Sequence, residues 1–240
     1  MASHYLTGEV VERIGGQIVR GDVPPGGSLP IEAELARQHD TSRTVIREAV
    51  KMLTAKGLVG SRPRRGTYVE PESKWNILDP DVLRWTLQRR FSFELMRDFL
   101  EVRAGIEPRA AAAAATRQDR DAIARIAARL EDMREADAGR MDSLESDIAF
   151  HIAILHASAN RFFVQASHVI DTALRFSIRL TNSVKGVRMA SVADHERIYL
   201  AIERGDAEGA AQAAQDLLSE AIRLLDTRAL SEGEGAGPQA

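Results

Sequence analysis

Residues 29–71 have the sequence LPIEAELARQHDTSRTVIREAVKMLTAKGLVGSRPRRGTYVEP, which carries the clearest structural signal in the chain. A short helix is predicted in IEAELARQH, and Thr41-Ser42 provide a cap before a longer helix, RTVIREAVKMLTAKG. Apolar residues recur on one face of the longer helix, and Gly57 is suited to end it. The next residues, LVGSRPRRGTYVE, predict two short strands around a Pro-Arg-Arg-Gly turn. Since a helix is also predicted over residues 5–20, the order indicates a winged helix-turn-helix.

Positive charge is concentrated in residues 41–70, although the whole chain carries a net charge of −3. This window holds seven cations and two anions, so its own net charge is +5. A locally basic segment on an acidic protein is either an electrostatic footprint for phosphate or a solvated basic surface. Its combination with a capped helix, an apolar stripe and a basic turn favours binding to double-stranded DNA.

A recognition helix enters the major groove by its N-terminal end, where polar and basic side chains reach base edges and phosphates. A basic hairpin tip suits the minor groove or the DNA backbone. These rules give two groups of candidate DNA-binding residues. The helix group is Ser42, Arg43, Thr44 and Arg47, and the wing group is Arg62, Arg64, Arg65 and Gly66.

Beyond residue 78 every strong pattern is helical, and short connections predict antiparallel helices packed as a bundle. The predicted fold is therefore mainly α, with a winged helix-turn-helix at the N-terminus and an all-helical bundle at the C-terminus. The predicted helices cover residues 79–90, 93–115, 118–138, 142–158, 160–184, 189–204 and 206–228. The predicted organisation is a DNA-binding domain at 1–70, a linker at 71–78, an effector-binding and dimerisation domain at 79–230 and a disordered tail at 231–240.

The chain contains no cysteine, which excludes disulfides, thiol nucleophiles and cysteine-based zinc sites. It shows neither a signal peptide nor an apolar run of about 18 residues, the length that would span a membrane. These features predict a cytoplasmic protein with no membrane partner.

Asp147 and His151 are four residues apart in SDIAFHIAIL, so a helix places both side chains on one face. A carboxylate and an imidazole at this spacing can bind one divalent cation, and His195 could join them from another helix. The alternative is a hydrogen-bonded structural pair. A metal-dependent hydrolase using these three residues is a further hypothesis, but no general base, phosphate-binding loop or HExxH motif accompanies them, so we expect no enzyme.

The quoted segment resembles the DNA-binding domain of the GntR superfamily, with its Ser-Arg-x-x-Val-Arg-Glu-Ala pattern appearing here as SRTVIREAV. One departure is Ala33, where the family often has a DNA-contacting arginine. The later sequence resembles the FCD ligand-binding domain of the FadR branch, through EVRAGIEPRAAAAAA, SDIAFH and HERIYLAIERGDAEGA. The resemblance covers residues 6–70 and 79–228 and implies a homodimeric transcriptional regulator that binds operator DNA.

The FCD resemblance implies a divalent metal, zinc or similar, held by Asp147, His151 and His195. The position of the fourth ligand in many members is Leu217 here, which leaves three protein ligands. The resemblance also implies that Arg103, together with His151 and His195, contacts a small carboxylate effector.

Trp75-Asn76 and LDPDVLRWTL resemble the sequence after the wing in sugar-acid regulators of this branch. We therefore predict a repressor that is released from its operator by a sugar acid, such as an aldonate. The alternatives are a regulator that responds to a hydroxy acid, an amino acid or a fatty-acyl group, and an architectural DNA binder that responds to no ligand.

Overall fold

The computed structural model describes residues 2–62, 66–89, 92–182 and 191–234. Contacts divide the chain into two compact units, Met1–Phe91 and Ser92–Ala240. Among the described helices of both units, none combines the length and the apolar character needed to cross a membrane.

The first unit contains the three helices and two-stranded wing of the predicted winged helix-turn-helix, followed by a fourth helix, α4. Its elements are α1 (Ala2–Arg20), α2 (Glu32–Gln38), α3 (Arg43–Ala55), β1 (Val59–Arg62), β2 (Gly66–Val69), a short 3-10 turn (Glu72–Lys74) and α4 (Pro80–Arg89). The strands are antiparallel, with Val59 opposite Val69 and Arg62 opposite Gly66. The apolar stripe of α3 is buried in the core, and its members are Val45, Ile46, Ala49 and Leu53.

Helix α4 belongs to the first unit, which differs from the predicted boundaries. Arg84 and Trp85 both contact Glu12 of α1, with Arg84 Nη2 at 2.6 Å and Trp85 Nε1 at 2.9 Å from its carboxylate. The predicted linker at 71–78 is ordered against the same unit, since Trp75 Nε1 donates to the Glu70 carbonyl at 3.0 Å. Sequence periodicity showed that α4 has an apolar face, but not which domain covers it, and the covering partner is α1.

The indole of Trp85 packs on Gly15 of α1, and this contact provides a test of the packing. A Cβ at position 15 would lie 2.3 Å from Cη2 of Trp85, closer than atoms can approach. We expect Gly15→Ala to lower the free energy of unfolding of this unit by about 1–3 kcal/mol, as overpacked cores do. Urea unfolding followed by tryptophan fluorescence measures this unit, because both tryptophans, Trp75 and Trp85, lie within it.

The matched control for Gly15→Ala is Gly8→Ala in the same helix. No atom lies within 4 Å of a Cβ built at Gly8, and alanine is the better helix former by about 1 kcal/mol. Gly8→Ala should therefore leave stability unchanged or raise it. An equal effect of the two substitutions would show that α4 does not pack on α1.

The second unit is all-helical, as predicted, and its helices are α5 (Phe93–Arg117), α6 (Arg120–Asp137), α7 (Ser143–Ala157), α8 (Arg161–Asn182), α9 (Val192–Glu203) and α10 (Ala207–Glu234). All six begin after a side chain that accepts a hydrogen bond from the first turn, namely Ser92, Asp119, Asp142, Asn160, Ser191 and Asp206. Helix α10 continues to Glu234, so residues 231–234 of the predicted disordered tail are helical, and residues 235–240 lie outside the described residues.

Helices α5 and α9 are joined through Gln118, which lies in the left-handed region at φ 51°. Its amide nitrogen donates to the Ala115 carbonyl of α5 at 2.9 Å and to the Ile202 carbonyl of α9 at 2.8 Å. One side chain thus donates to carbonyl groups near the C-terminal ends of two helices. This connection keeps α5 and α9 in a fixed relation within the second unit.

Candidate DNA interface and metal centre

The N-terminal end of α3 is exposed and carries the four helix residues predicted to contact DNA, Ser42, Arg43, Thr44 and Arg47. Ser42 caps the helix, since its Oγ accepts a hydrogen bond from the Val45 N–H at 3.3 Å. The first turn contains no acidic residue, so the partial positive charge of the helix N-terminus adds to that of the arginines. This end of the helix therefore presents an electropositive surface suited to a polyanion.

The two arginines of this surface differ in their partners. Arg47 forms a two-pronged ion pair with Glu32 of α2, with Nε at 3.2 Å and Nη2 at 2.8 Å from its two oxygens. The hydrogen bonds from Arg47 lower the pKa of Glu32. Among the described residues Arg43 has no ion-pair partner. Arg43 is thus the cation of this helix end that can turn to DNA without breaking a protein contact.

Part of the wing is described, and its geometry suits contact with DNA. The guanidinium carbon of Arg62 lies 4.5 Å from the centre of the Tyr68 ring, a cation–π contact that holds the arginine against the strands. Gly66 adopts φ +76°, a conformation that glycine adopts without strain. The predicted contacts Arg64 and Arg65 lie outside the described residues.

Not all the basic residues of segment 41–70 face solvent freely. Lys56, at the C-terminal end of α3, has a side chain only 12% exposed and binds Asp79 at 2.8 Å and Asp81 at 2.9 Å. Lys51 pairs with Glu48 at 2.8 Å. The local charge of +5 therefore overstates the charge available to a partner. Among the described basic residues of this segment, Arg43 at the start of α3 and Arg62 in the wing form no ion pair.

In the second unit, Asp147 and His151 of α7 meet His195 of α9. Asp147 Oδ1 lies 3.1 Å from His151 Nε2 and 3.2 Å from His195 Nε2, and the two Nε2 atoms are 3.4 Å apart. A tetrahedral Zn²⁺ with ligands at about 2.0–2.1 Å would place those ligands about 3.3–3.4 Å from one another. The three atoms therefore fit the corners of one coordination shell, as the sequence predicted.

The other ring nitrogen of each histidine is held by a different acceptor. His195 Nδ1 is 3.1 Å from the Ser191 carbonyl, and His151 Nδ1 is 2.9 Å from Glu107 Oε2. Because each Nδ1–H donates outward, each Nε2 can present a lone pair to the shared centre. This arrangement is typical of histidines that bind metal.

Charges around the centre are strongly coupled. Burial alone would raise the pKa of Asp147, but hydrogen bonds from His151 and His195 hold it well below its usual range. Burial would lower the pKa of His151, but the charge of Glu107 outweighs it and raises that pKa to about 9. A proton on His151 Nε2 and a cation at the same atom exclude each other, so a bound cation would replace that proton.

Leu217, which the sequence resemblance puts at the position of a fourth ligand, lies beside His151. With His151 and Glu107 it lines a small cavity that has room for about one water molecule, together with Ile154, Ile198 and Ala214. Leucine offers no ligand atom, so a tetrahedral ion at this centre would have three protein ligands, Asp147, His151 and His195, and one open position. An open position of this kind can take water or an oxygen of a bound molecule.

Family models match most of the chain. Residues 6–69 match the bacterial regulatory proteins of the gntR family, and residues 98–220 match the FCD domain. The chain belongs to the GntR family and carries an FCD domain. It is therefore a DNA-binding transcriptional regulator.

Relatives of this GntR regulator support the assignment over nearly the whole chain. The galactonate operon transcriptional repressor of Escherichia coli (strain K12) is 34% identical over 220 residues, which cover 91% of this chain and 96% of the repressor. The HTH-type transcriptional regulator YieP of the same strain is 33% identical over 220 residues, covering 90% and 94%. A solved structure, Streptococcus agalactiae GntR, has 25% identity and a TM-score of 0.50, covering 90% of this chain and 99% of that one. These proteins are regulators, which confirms that the chain is not an enzyme and sets the hydrolase hypothesis aside.

Arg103 of the FCD domain, expected to contact the effector, lies buried on α5 and pairs with Glu107 one turn later. Its Nε is 2.5 Å and its Nη2 3.1 Å from the two oxygens of Glu107. Glu107, which contacts both Arg103 and His151, was not identified as a site residue from the sequence. The sequence does contain a feature that could have identified this ion pair: Arg103 and Glu107 are two charged residues spaced four apart in a mostly apolar helical stretch. His156 and His168 are exposed and do not belong to the Asp147, His151 and His195 group.

Proposed function

We propose that this GntR regulator is a repressor that is released from its operator by a small sugar acid, such as an aldonate. In this proposal the acid binds in the FCD domain beside a divalent metal held by Asp147, His151 and His195. Support comes from the geometry of the three ligand atoms and from the similarity to a galactonate operon repressor.

The charge balance of the centre is the observation that carries the carboxylate assignment. The described charged groups are Arg103, Glu107 and Asp147, which together contribute −1. Without metal the total is −1, or zero when His151 holds its second proton, so the centre does not attract an anion. A divalent cation between two neutral histidines raises the total to +1, which favours a carboxylate. The proposal therefore requires metal for effector binding.

The chemistry of an aldonate matches the open side of the centre. Its carboxylate and neighbouring hydroxyl groups are hard oxygen ligands, which can complete the shell of a cation that has three protein ligands. Arg103 uses Nε and Nη2 on Glu107, and in this proposal its Nη1 donates to the effector carboxylate. The apolar side chains of Ile154, Ile198 and Leu217 line the cavity beside His151, which has room for about one water molecule, so in this proposal they move apart when the effector binds.

The DNA-binding step follows the usual logic of a symmetric operator. Two subunits pair so that two α3 helices read the two halves of a palindromic site, in the cytoplasm where the DNA lies. Ser42, Arg43, Thr44 and Arg47 contact the major groove in this proposal, and the wing contacts lie at Arg62, Arg64, Arg65 and Gly66. The effector shifts the equilibrium only by its different affinities for the bound and released states.

Operator release measured with and without metal tests this proposal. The operator is selected from random duplexes with the full-length protein, and release is followed by fluorescence anisotropy at fixed salt. With Zn²⁺ present we expect galactonate or a related aldonate to release the DNA, whereas galactose, which lacks the carboxylate, should not. After treatment with a chelator the same acid should have no effect.

The same assay separates the alternatives. Release by a hydroxy acid, an amino acid or an acyl compound but by no aldonate would keep the regulator and replace the effector. Undiminished release after removal of the metal would contradict the charge argument. Insensitivity to every acid, combined with weak sequence preference, would indicate an architectural DNA binder.

A further inference from the structure

A chain of three buried polar side chains leads to the metal centre from behind. Arg103, Glu107 and His151 have relative exposures of 2%, 4% and 4%, and the first two lie on α5 while the third lies on α7. Burying charged groups is unfavourable unless each is paired and hydrogen-bonded. Here each is paired, since Arg103 binds both oxygens of Glu107, and Glu107 also accepts from His151 Nδ1 at 2.9 Å.

We infer that Glu107 is a positioning residue that fixes the ring of His151 so that its Nε2 lone pair faces the cation. This inference rests on the metal site of the proposed function. A neutral imidazole carries one proton, and the nitrogen that bears it is set by the acceptor it meets. Since Glu107 offers only acceptors, it holds the proton on Nδ1 and leaves Nε2 free.

The two histidines of the centre are oriented by different means. His195 Nδ1 donates to the Ser191 carbonyl one turn earlier in its own chain segment, so its orientation follows from local backbone geometry. His151 depends on a side chain from another helix, and that carboxylate is itself held by Arg103. The Arg103–Glu107 pair therefore links α5 to the metal ligands of α7, which makes His151 the ligand whose geometry is sensitive to substitution elsewhere.

A carboxylate at position 107 differs from an amide in two respects. A glutamine can present its NH₂ group to His151 Nδ1 and thereby favour the tautomer with the proton on Nε2, which cannot bind metal. It also lacks the negative charge that makes the imidazole a stronger ligand and that neutralises Arg103. Glu107→Gln therefore keeps the shape of the side chain and removes the feature that we infer to matter.

The test is the Zn²⁺ affinity of the full-length protein, measured by competition with a chromophoric chelator at one pH. Glu107→Gln is expected to weaken Zn²⁺ binding by about 10- to 100-fold, the usual cost of losing a partner that orients a ligand. Glu101→Gln is the matched control, since it makes the same change at an exposed site on the same helix, and it should bind Zn²⁺ like the parent. Equal affinity of Glu107→Gln and the parent would overturn the inference.

Two double variants distinguish a positioning role of Glu107 from a general loss of structure. Glu107→Gln should no longer change Zn²⁺ affinity in a protein that already carries His151→Ala, because the residue acts through that ring. It should still weaken binding in a protein that carries His195→Ala. A loss of the same size in both backgrounds would show that Glu107 acts on the fold and not on His151.

The parent protein offers a measurement that needs no variant and holds even if Glu107→Gln fails to fold. Nitrogen-15 NMR of the zinc-loaded parent should show His151 with its proton on Nδ1, and a proton on Nε2 would refute the inference. If the parent binds no Zn²⁺ at all, the proposed metal site fails first and the inference fails with it. If the parent binds Zn²⁺ and only the Glu107 results are negative, the proposed function stands and the inference alone is wrong.

Discussion

Arg43→Ala is expected to weaken operator binding by about 10- to 100-fold and to leave the stability of the protein unchanged. An arginine that pairs with both acceptors of a guanine contributes roughly 1–3 kcal/mol of discrimination, which is about 5- to 150-fold in affinity and includes the expected range. Stability should not change because Arg43 is exposed and, among the described residues, makes no ion pair that the substitution would break. Anisotropy titrations of the selected operator at one salt concentration, together with thermal unfolding, measure both quantities.

The control for Arg43 is Lys51→Ala, which removes an equal charge from an exposed position later in the same helix. Lys51 is already paired with Glu48, so its loss should change operator affinity by less than about threefold, within the range of a weak phosphate contact. An unrelated duplex serves as the measure of non-specific binding, from which the specific contribution is obtained. If Arg43→Ala bound the operator as tightly as the parent, the assignment of α3 as the recognition helix would be wrong.

Asp147→Asn is expected to abolish both the metal site and the response to the effector while preserving operator binding. Asp147 Oδ1 contacts both histidines, so it is the shared corner of the coordination shell. Its loss should cost more than the roughly 10- to 100-fold that loss of a supporting residue costs in metal affinity. Zinc competition and effector-driven release of the operator measure the two consequences in one preparation.

The matched control for the metal centre is His156→Ala, since His156 lies on the same helix and is exposed to solvent. It should bind Zn²⁺ and respond to the effector like the parent. A variant Asp147→Asn that kept the full effector response would show that the acid binds elsewhere in the FCD domain. Loss of operator binding by Asp147→Asn in the absence of effector would instead indicate that the metal supports the DNA-bound state.

Much of the local structure was predictable because it depends on short-range rules. Helix α7 was predicted over residues 142–158 and spans Ser143–Ala157, since Asp142 provides a cap and the apolar period continues to the end. The pairing of Asp147 with His151 followed from their spacing of four, which a helix turns into proximity. Residues near each other in sequence meet by helical geometry alone, and no other part of the chain is needed.

Contacts between distant elements could not be predicted in the same way. His195 is 48 residues from Asp147, and only the packing of α9 against its neighbours brings the two within 3.2 Å. The contact of Glu107 with His151 could not be predicted, since nothing in the sequence shows that α5 passes behind His151. Helix α4 was assigned to the wrong unit because its apolar face did not reveal its partner.

By itself, the sequence determined the winged helix-turn-helix, the helical second unit, the basic start of α3 and the three candidate ligands. Only the tertiary structure decided that α4 packs on α1, that Lys56 forms ion pairs with Asp79 and Asp81, and that Glu107 contacts His151. The physical reason is that a residue pattern fixes which face of a helix is buried, through the period of 3.6 residues. The pattern does not specify which other helix covers that buried face, because the choice depends on the packing of all the helices together.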